Sequence, residues 1–387
     1  MASTKKIKRC IFVACIGFIM IFAVYWNYRN LSLFMKSTHP SAGPSEGEAE
    51  RDVVTAHLPM IKRPSDMYKK NPIFNSYLDQ YDGMFNKSFT VGSSLQKIAR
   101  SDRHVNASSK TVLCTMQTKA YIKILDSNTS PLREIGLGKY FGEKPFLDKV
   151  PRYGTCAIVG SSPAVLNSSR GIEIDAHDAV LRFNSAPTKN FEKDVGTKTT
   201  VRLLNNRYLE SDGWAEEFAK TDMSRDTILV SWKGGKSSYN GNLATVVRTF
   251  GKYLVGYVNW TVSYPDRPIY IVNPVSQWRG WDVIQEFTNY SIPPNVPSSG
   301  FLGVQLMLPL CESIDVYGIV QPENGAHSTC KYFSENRCPP PAGPGKEYFH
   351  PLDPERKLLL KMNVGSEEDV KTFGKVTLPG YATRPCD

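Results

Sequence analysis

His350 is followed by Pro351 and, five positions on, by Glu355. Proline holds the residue before it out of a helix, so the imidazole is projected at the start of an element. A neutral imidazole can take a proton from a hydroxyl. The other histidines past the first hundred residues are His104 near the start of the apolar region, His177 among acidic neighbours and His327 in a glycine-containing loop. None has a proline behind it. A lone histidine is more often structural than catalytic, so residue type alone leaves its role open.

Three further groups offer binding chemistry. Asn184 and Asn205 each follow a β-rich run, and an amide at a strand end can hydrogen-bond a ribose, base or phosphate. Turn chemistry places asparagine there more often than ligand binding does. In CAIVGSSPAVLNSSRG a strand runs into Gly160, Ser161, Ser162 and Pro163. Serine before proline is a good helix start, and a strand end meeting a helix N-terminus makes a phosphate cradle. A plain strand–turn–helix reads the same way. In PSSGFLGVQLMLPL, Ser298, Ser299 and Gly300 precede an apolar helix. Free amides at a helix start suit a carboxylate or phosphate. An ordinary N-cap explains one serine but not the cluster. Gly300 and Gly303 permit close backbone approach.

The elements that must position these residues are short and apolar. CAIVG, AVLRF, TTVRLLN, TILVSW, PIYIVN and SIDVYGIV alternate with helix-length stretches. That pattern predicts an α/β fold with a mostly parallel sheet covered on both faces. Ligands of such sheets bind at the carboxyl ends of the strands.

The 387 residues carry a formal charge of +10, with 41% hydrophobic and 22% charged residues. This is globular composition. The basic residues are dispersed, and no nucleic-acid module is visible, so no nucleic acid is expected as a partner. A solvated basic surface or an anionic small substrate remains.

Lys5, Lys6, Lys8 and Arg9 precede an uncharged run from Cys10 to Tyr28. That order predicts a cytoplasmic tail over 1–9, a transmembrane signal anchor over 10–28 and a lumenal remainder. A cleaved signal peptide is the rival, but the bulky Val24, Tyr25 and Trp26 give no small-residue cleavage pattern. Residues 29–95 read as a stem, since HPSAGPSEGEAERD lacks periodicity. The remaining domain spans 96–387.

Cys114, Cys156, Cys311, Cys330, Cys338 and Cys386 lie past the anchor. An even number in a lumenal domain reads as disulfides. No CxxC pair and no Asp-x-Asp occurs, so no metal and no cofactor is expected. Sequons begin at Asn86, Asn106, Asn128, Asn167, Asn259 and Asn289, with a further one at Asn30 too close to the bilayer to serve well.

These stretches, in this order, resemble the animal sialyltransferases. Cys156 to about Asn205, with HDAVLRFN and DVGTKTT, is similar to their large sialylmotif. Pro297 to about Val320 is similar to the small one, and His350 to Glu355 to the very small His-x4-Glu motif. FGKVTLPGYATRPC completes a likeness over roughly 110–386, and PSSG, HPL and TLPG look most like the β-galactoside α-2,6 subclass.

The resemblance implies a Rossmann-like, glycosyltransferase-A-like variant fold behind a transmembrane helix and stem, in a type II Golgi membrane protein. It implies inverting, metal-independent transfer of sialic acid from CMP-sialic acid to the 6-hydroxyl of galactose-terminated glycans on glycoproteins. His350 would be the base. Ser161, Asn184, Asn205, Ser299 and Gly300 would hold the donor, and Tyr348, Phe349 and Arg356 are candidate loop contacts. It further implies the pairs Cys114–Cys386, Cys156–Cys311 and Cys330–Cys338. A homodimer is left open.

The chain departs from the family pattern in the proline-rich PPPAGPGKEYF, in Lys331 where an aromatic is common, and in Phe349 where tyrosine usually precedes the histidine. Another linkage or acceptor (α-2,3, or N-acetylgalactosamine) therefore stays open, as does an inactive glycan-binding protein.

Overall fold

Strands built from continuous apolar runs must be covered on both faces, and the six β-rich runs form such a sheet. The computed structural model describes residues 106–383 except 131, 135, 212, 235–250, 324–328 and 338–349, together with Cys386. The expected anchor and stem, Asn30, Asn86, Tyr348 and Phe349 lie outside these residues. No helix among the described residues is long and apolar enough to cross a membrane.

The strands are β1 (Tyr153–Val159), β2 (Ala179–Phe183), β3 (Val201–Asn205), β4 (Ile228–Trp232), β5 (Ile269–Ile271), β6 (Cys311–Tyr317) and β9 (Val376–Pro379). Their order is β5-β4-β3-β2-β1-β6-β9. All neighbours are parallel except β9, which runs antiparallel to β6. Strand β9 closes the edge with TLPG, a segment noted in the sequence only for its likeness. A separate hairpin pairs β7 (Thr329–Lys331) with β8 (Ser334–Arg337).

The helices are α1 (Ser109–Lys119), α2 (Gly171–Ala176), α3 (Glu192–Val195), α4 (Arg207–Glu210), α5 (Trp214–Lys220), α6 (Gly251–Ser263), α7 (Pro274–Glu286), α8 (Ser299–Met307), α9 (Leu352–Met362) and α10 (Glu367–Phe373). One face of the sheet buries Leu181, Phe183 and Leu203 against Phe301 and Val304 of α8, Trp278 of α7 and Leu358 of α9. The opposite face buries Val159 and Val180 with Ile174 of α2, and Leu204 and Leu229 with Tyr253 and Tyr257 of α6. Gly303 lets α8 lie close on the sheet, for a Cβ there would meet the Phe183 ring at 2.8 Å.

The helix expected to start at Ser162-Pro163 is a correction. Ser162 does cap, accepting from the Ala164 amide, but only one 3-10 turn follows, Pro163–Val165. The chain then leaves helical conformation at Leu166, and Asn167 and Ser169 take positive φ of 62° and 53°. Asp194 fixes this detour by accepting from both their amides. A single turn has no aligned dipole to offer a phosphate.

Cys114 is bonded to Cys386 and Cys156 to Cys311. Cys330 is also disulfide-bonded, while Cys338, its expected partner, lies outside the described residues. The Cys156–Cys311 bond joins neighbouring strands and closes a separation of 155 residues. Replacing both cysteines by alanine should remove about 4–5 kcal/mol in the chain-entropy model. Denaturant titration under non-reducing conditions measures it.

A second tie is ionic. Asp315 of β6 accepts from Thr377 of β9 at 2.6 Å and lies 3.0 Å from the Lys375 ammonium. Lys375 also pairs with Glu173, which pairs with Arg170, and Arg170 reaches Asp369 of α10. The Tyr317 hydroxyl donates to Glu173. His177 faces acceptors with both ring nitrogens: Nδ1 the carbonyls of Glu173 and Ile174 at 3.0 and 3.2 Å, Nε2 the Asp315 carboxylate at 3.4 Å. Only the doubly protonated ring satisfies both. Burial alone would lower the pKa of His177, but Asp315 outweighs it and raises it above 6.5. For Asp315, burial is outweighed by donors from His177, Thr377 and Lys375, which hold it at about 2.

The raised histidine stabilises the fold fully below its unfolded pKa, and that contribution is lost as pH rises through its folded pKa. Thermal stability should therefore contain a component that falls above pH 6.5, and His177→Gln should flatten that part of the Tm–pH curve. An unchanged curve would exclude His177 as its source.

Candidate functional site

The strand order reverses direction at β1, since the chain builds outward to β5 and then places β6 on the other side. A crevice opens at such a point, outside the carboxyl ends of the strands. There β1 and β6 come very close. A Cβ at Gly160 would meet the Gly318 carbonyl oxygen, and Gly318 itself has φ of +66°.

Ser161 follows β1, and its carbonyl accepts from the Tyr332 amide of the hairpin at 3.0 Å. Asn184 directly follows β2 in the left-handed region, with φ of 51°. Its Oδ1 accepts from the Asn205 amide at 2.9 Å, and Asn205 Oδ1 accepts from the Arg207 amide at 3.1 Å. Both side-chain oxygens are thus committed, and both NH2 groups are left to donate. Turn chemistry takes the oxygen end of each amide and leaves the nitrogen end open. Asn205 is the register partner of Trp232 at the end of β4. The ends of β2, β3 and β4 lie side by side, so about 10 Å spans them.

Trp232 was not foreseen. Its only sequence signal was its place at the end of an apolar run. Its Nε1 donates to Ser299 Oγ at 3.1 Å, and its ring lies 6.4 Å from the His350 ring, centroid to centroid. Because Ser299 Oγ accepts from the indole, its own proton is directed elsewhere. Ser298 is the true N-cap of α8, with Oγ accepting from the Phe301 amide at 3.2 Å. The Ser299 and Gly300 amides have no acceptor among the described residues. They supply the open helix start expected for an anion.

The segment before α8 is clamped from α9. His350 Nδ1 donates to the Val296 carbonyl at 2.7 Å. That bond fixes the tautomer and leaves Nε2 as the lone-pair nitrogen. Glu355, 1% exposed, accepts from the Ser298 amide at 2.7 Å and from the Ser298 hydroxyl. Burial pushes its carboxyl up to about 7 against these donors. The spacing of His350 and Glu355 now has a reason: Pro351 caps α9, so the histidine stands just outside the helix and the glutamate one turn inside. They hold residues two apart on the facing segment.

Burial lowers the pKa of His350 below 6.5, only partly offset by the Val296 carbonyl. At neutral pH the ring is a free base. Arg356 Nε donates to the Ile319 carbonyl at 3.0 Å, tying α9 to the chain beyond β6. Lys233 pairs with Glu210, which also accepts from Asn206, along the ends of β3 and β4. Lys233, Glu210 and Asn206 were not singled out in the sequence. No cluster of three or more metal-ligating side chains occurs among the described residues.

The family model for glycosyltransferase family 29 (sialyltransferase) matches residues 143–365, more than half of the chain and all of the site. The chain belongs to glycosyltransferase family 29. It is 36% identical over 310 residues to beta-galactoside alpha-2,6-sialyltransferase 2 of Takifugu rubripes, covering 78% of this chain and 56% of that protein. The namesakes from Rattus norvegicus and Homo sapiens are 37% and 36% identical over 291 residues, each covering 74% of this chain and 54% and 53% of theirs. The chain thus spans about half the length of the curated relatives it matches. A crystal structure of a mammalian sialyltransferase is 22% identical, with a TM-score of 0.35, covering 68% of this chain and 78% of that one.

The sequons at Asn106, Asn128, Asn167 and Asn289 are exposed, whereas Asn259 sits within α6 with its amide oxygen buried.

Glu355→Ala should leave the Ser298 amide buried without an acceptor, at a cost of about 1–3 kcal/mol. Glu355→Gln keeps one acceptor and should lose less. Calorimetric Tm of the two variants reads the difference; equal losses would deny the carboxylate its part in the clamp.

Proposed function

We propose that this chain transfers sialic acid from CMP-sialic acid to the 6-hydroxyl of a terminal galactose on glycoprotein glycans, with inversion. The observation that carries the reading is the fixed tautomer of His350. Its Nδ1–H is spent on Val296, so Nε2 is the basic atom, beside Trp232 and the open start of α8.

In the reaction the acceptor hydroxyl attacks the anomeric carbon of sialic acid while CMP leaves from the opposite face. His350 Nε2 takes the hydroxyl proton as the new C–O bond forms. The bond to the phosphate oxygen breaks, and CMP departs with the electron pair. The Ser299 and Gly300 amides and the Ser299 hydroxyl stabilise anionic groups of the donor or leaving group. The Asn184 and Asn205 amides hold the nucleotide, with Ser161 at the end of β1. No carboxylate cluster is required for this, and metal-independent turnover is part of the proposal. The relatives' names support the α-2,6 linkage and the galactose acceptor. The N-terminal basic residues and apolar run support a type II Golgi membrane anchor with the catalytic domain lumenal.

The full chain in detergent, given CMP-sialic acid and a panel of galactosides, should yield an α-2,6-linked product by linkage analysis, with activity retained in excess EDTA. An α-2,3 or N-acetylgalactosamine product would keep the chemistry and overturn the acceptor. CMP binding without transfer would favour a glycan-binding protein.

His350→Ala should lower kcat roughly a hundred- to ten-thousand-fold with CMP affinity near wild type. Because only the free base accepts a proton, wild-type kcat/KM should fall on an acidic limb below pH 6.5. A folded His350→Ala enzyme with normal turnover would move the base elsewhere.

A further inference from the structure

Two arginines stand as register partners inside the sheet, Arg182 of β2 and Arg202 of β3, at 1% and 2% exposure. Arg182 is engaged by the loop entering β3. Its Nε donates to the Lys198 carbonyl and Thr199 hydroxyl, its Nη2 to the Val195 carbonyl, and Asp175 attracts it from nearby. Arg202 forms no ion pair among the described residues. Its Nη1 donates to the Asn184 carbonyl at 2.6 Å and reaches the Ala186 carbonyl at 3.4 Å, while its Nε is buried without a partner. Burial lowers its pKa to about 10, so it stays charged at neutral pH.

A buried guanidinium without a carboxylate does little for stability, since a well-packed apolar side chain avoids its desolvation cost. What it does hold is the turn at Asn184. That residue has a left-handed backbone, its amide nitrogen donates to the Leu203 carbonyl, and its Oδ1 is taken by the Asn205 amide. With the carbonyl taken by Arg202, the group of Asn184 left without a partner among the described residues is its side-chain NH2, at the end of β2. We infer that Arg202 is a positioning residue for the donor: it sets the Asn184 turn from inside the sheet and touches no substrate itself. The inference rests on the reading of Asn184 as a donor contact.

The full chain carrying Arg202→Met or Arg202→Lys is compared with wild type for donor KM, kcat and CMP affinity by calorimetry. Arg202→Met should raise donor KM and the CMP Kd roughly tenfold, the effect of one lost charge-assisted hydrogen bond, with kcat within about threefold. Arg202→Lys keeps the charge but not the planar fork, and should raise both severalfold. In an Asn184→Ala background, Arg202→Lys should change donor KM by less than about twofold, because the two act as one unit.

Wild-type donor KM in either folded variant, a loss confined to kcat, or a lysine effect undiminished beside Asn184→Ala would each overturn the inference. If Arg202→Met does not fold, the Arg202→Lys cycle decides alone. A wild-type chain that binds no CMP overturns the donor reading itself, whereas wild-type binding with unaffected variants overturns only the part given to Arg202.

Discussion

The site depends on one buried contact, the Glu355 carboxylate on the amide and hydroxyl of Ser298. It seats the N-cap of α8, and through it the two open amides that follow. The same short segment supplies the carbonyl that fixes the His350 tautomer. The His350 imidazole and the open start of α8 are therefore held to one stretch of backbone from one helix. A shift of α9 against this segment would move the imidazole and disturb the helix start together.

Much of this was legible in the residues, for identifiable reasons. The six strands of the parallel set are read directly because buried strands are continuous apolar runs. Asn184 and Asn205 were placed correctly at strand ends, but their sequence could not choose between turn and ligand chemistry. The structure shows the turn chemistry, with both side-chain oxygens accepting from backbone amides. Ser162-Pro163 misled because capping residues set where a helix begins and say nothing of how far it runs. Val296 and Trp232 were invisible for another reason. One acts through a backbone carbonyl and the other through an indole N–H, and neither use leaves a mark on residue type.

Charge against the sheet is arranged in two ways. Glu173, Asp315 and Asp369 meet Arg170, Lys375 and His177 in a network that joins helices to strands. The turn at Asn184 is instead backed by Arg202, which has no ion pair among the described residues. The first group is neutralised internally and serves cohesion. The second leaves a buried positive charge held by backbone carbonyls alone. The chain's net charge of +10 gives no hint of this division.

The Cys114–Cys386 bond also imposes an order in time. Cys114 is synthesised 272 residues ahead of its partner, whereas Cys156 waits only 155 for Cys311. At roughly 5–20 residues per second, the first of these thiols stays unpaired for tens of seconds while four other cysteines, Cys156, Cys311, Cys330 and Cys338, are synthesised. Correct pairing then depends on β1 and β6 docking early enough to take Cys156 and Cys311 out of circulation. The outer bond is a closing step, made only after the edge strand β9 has been delivered.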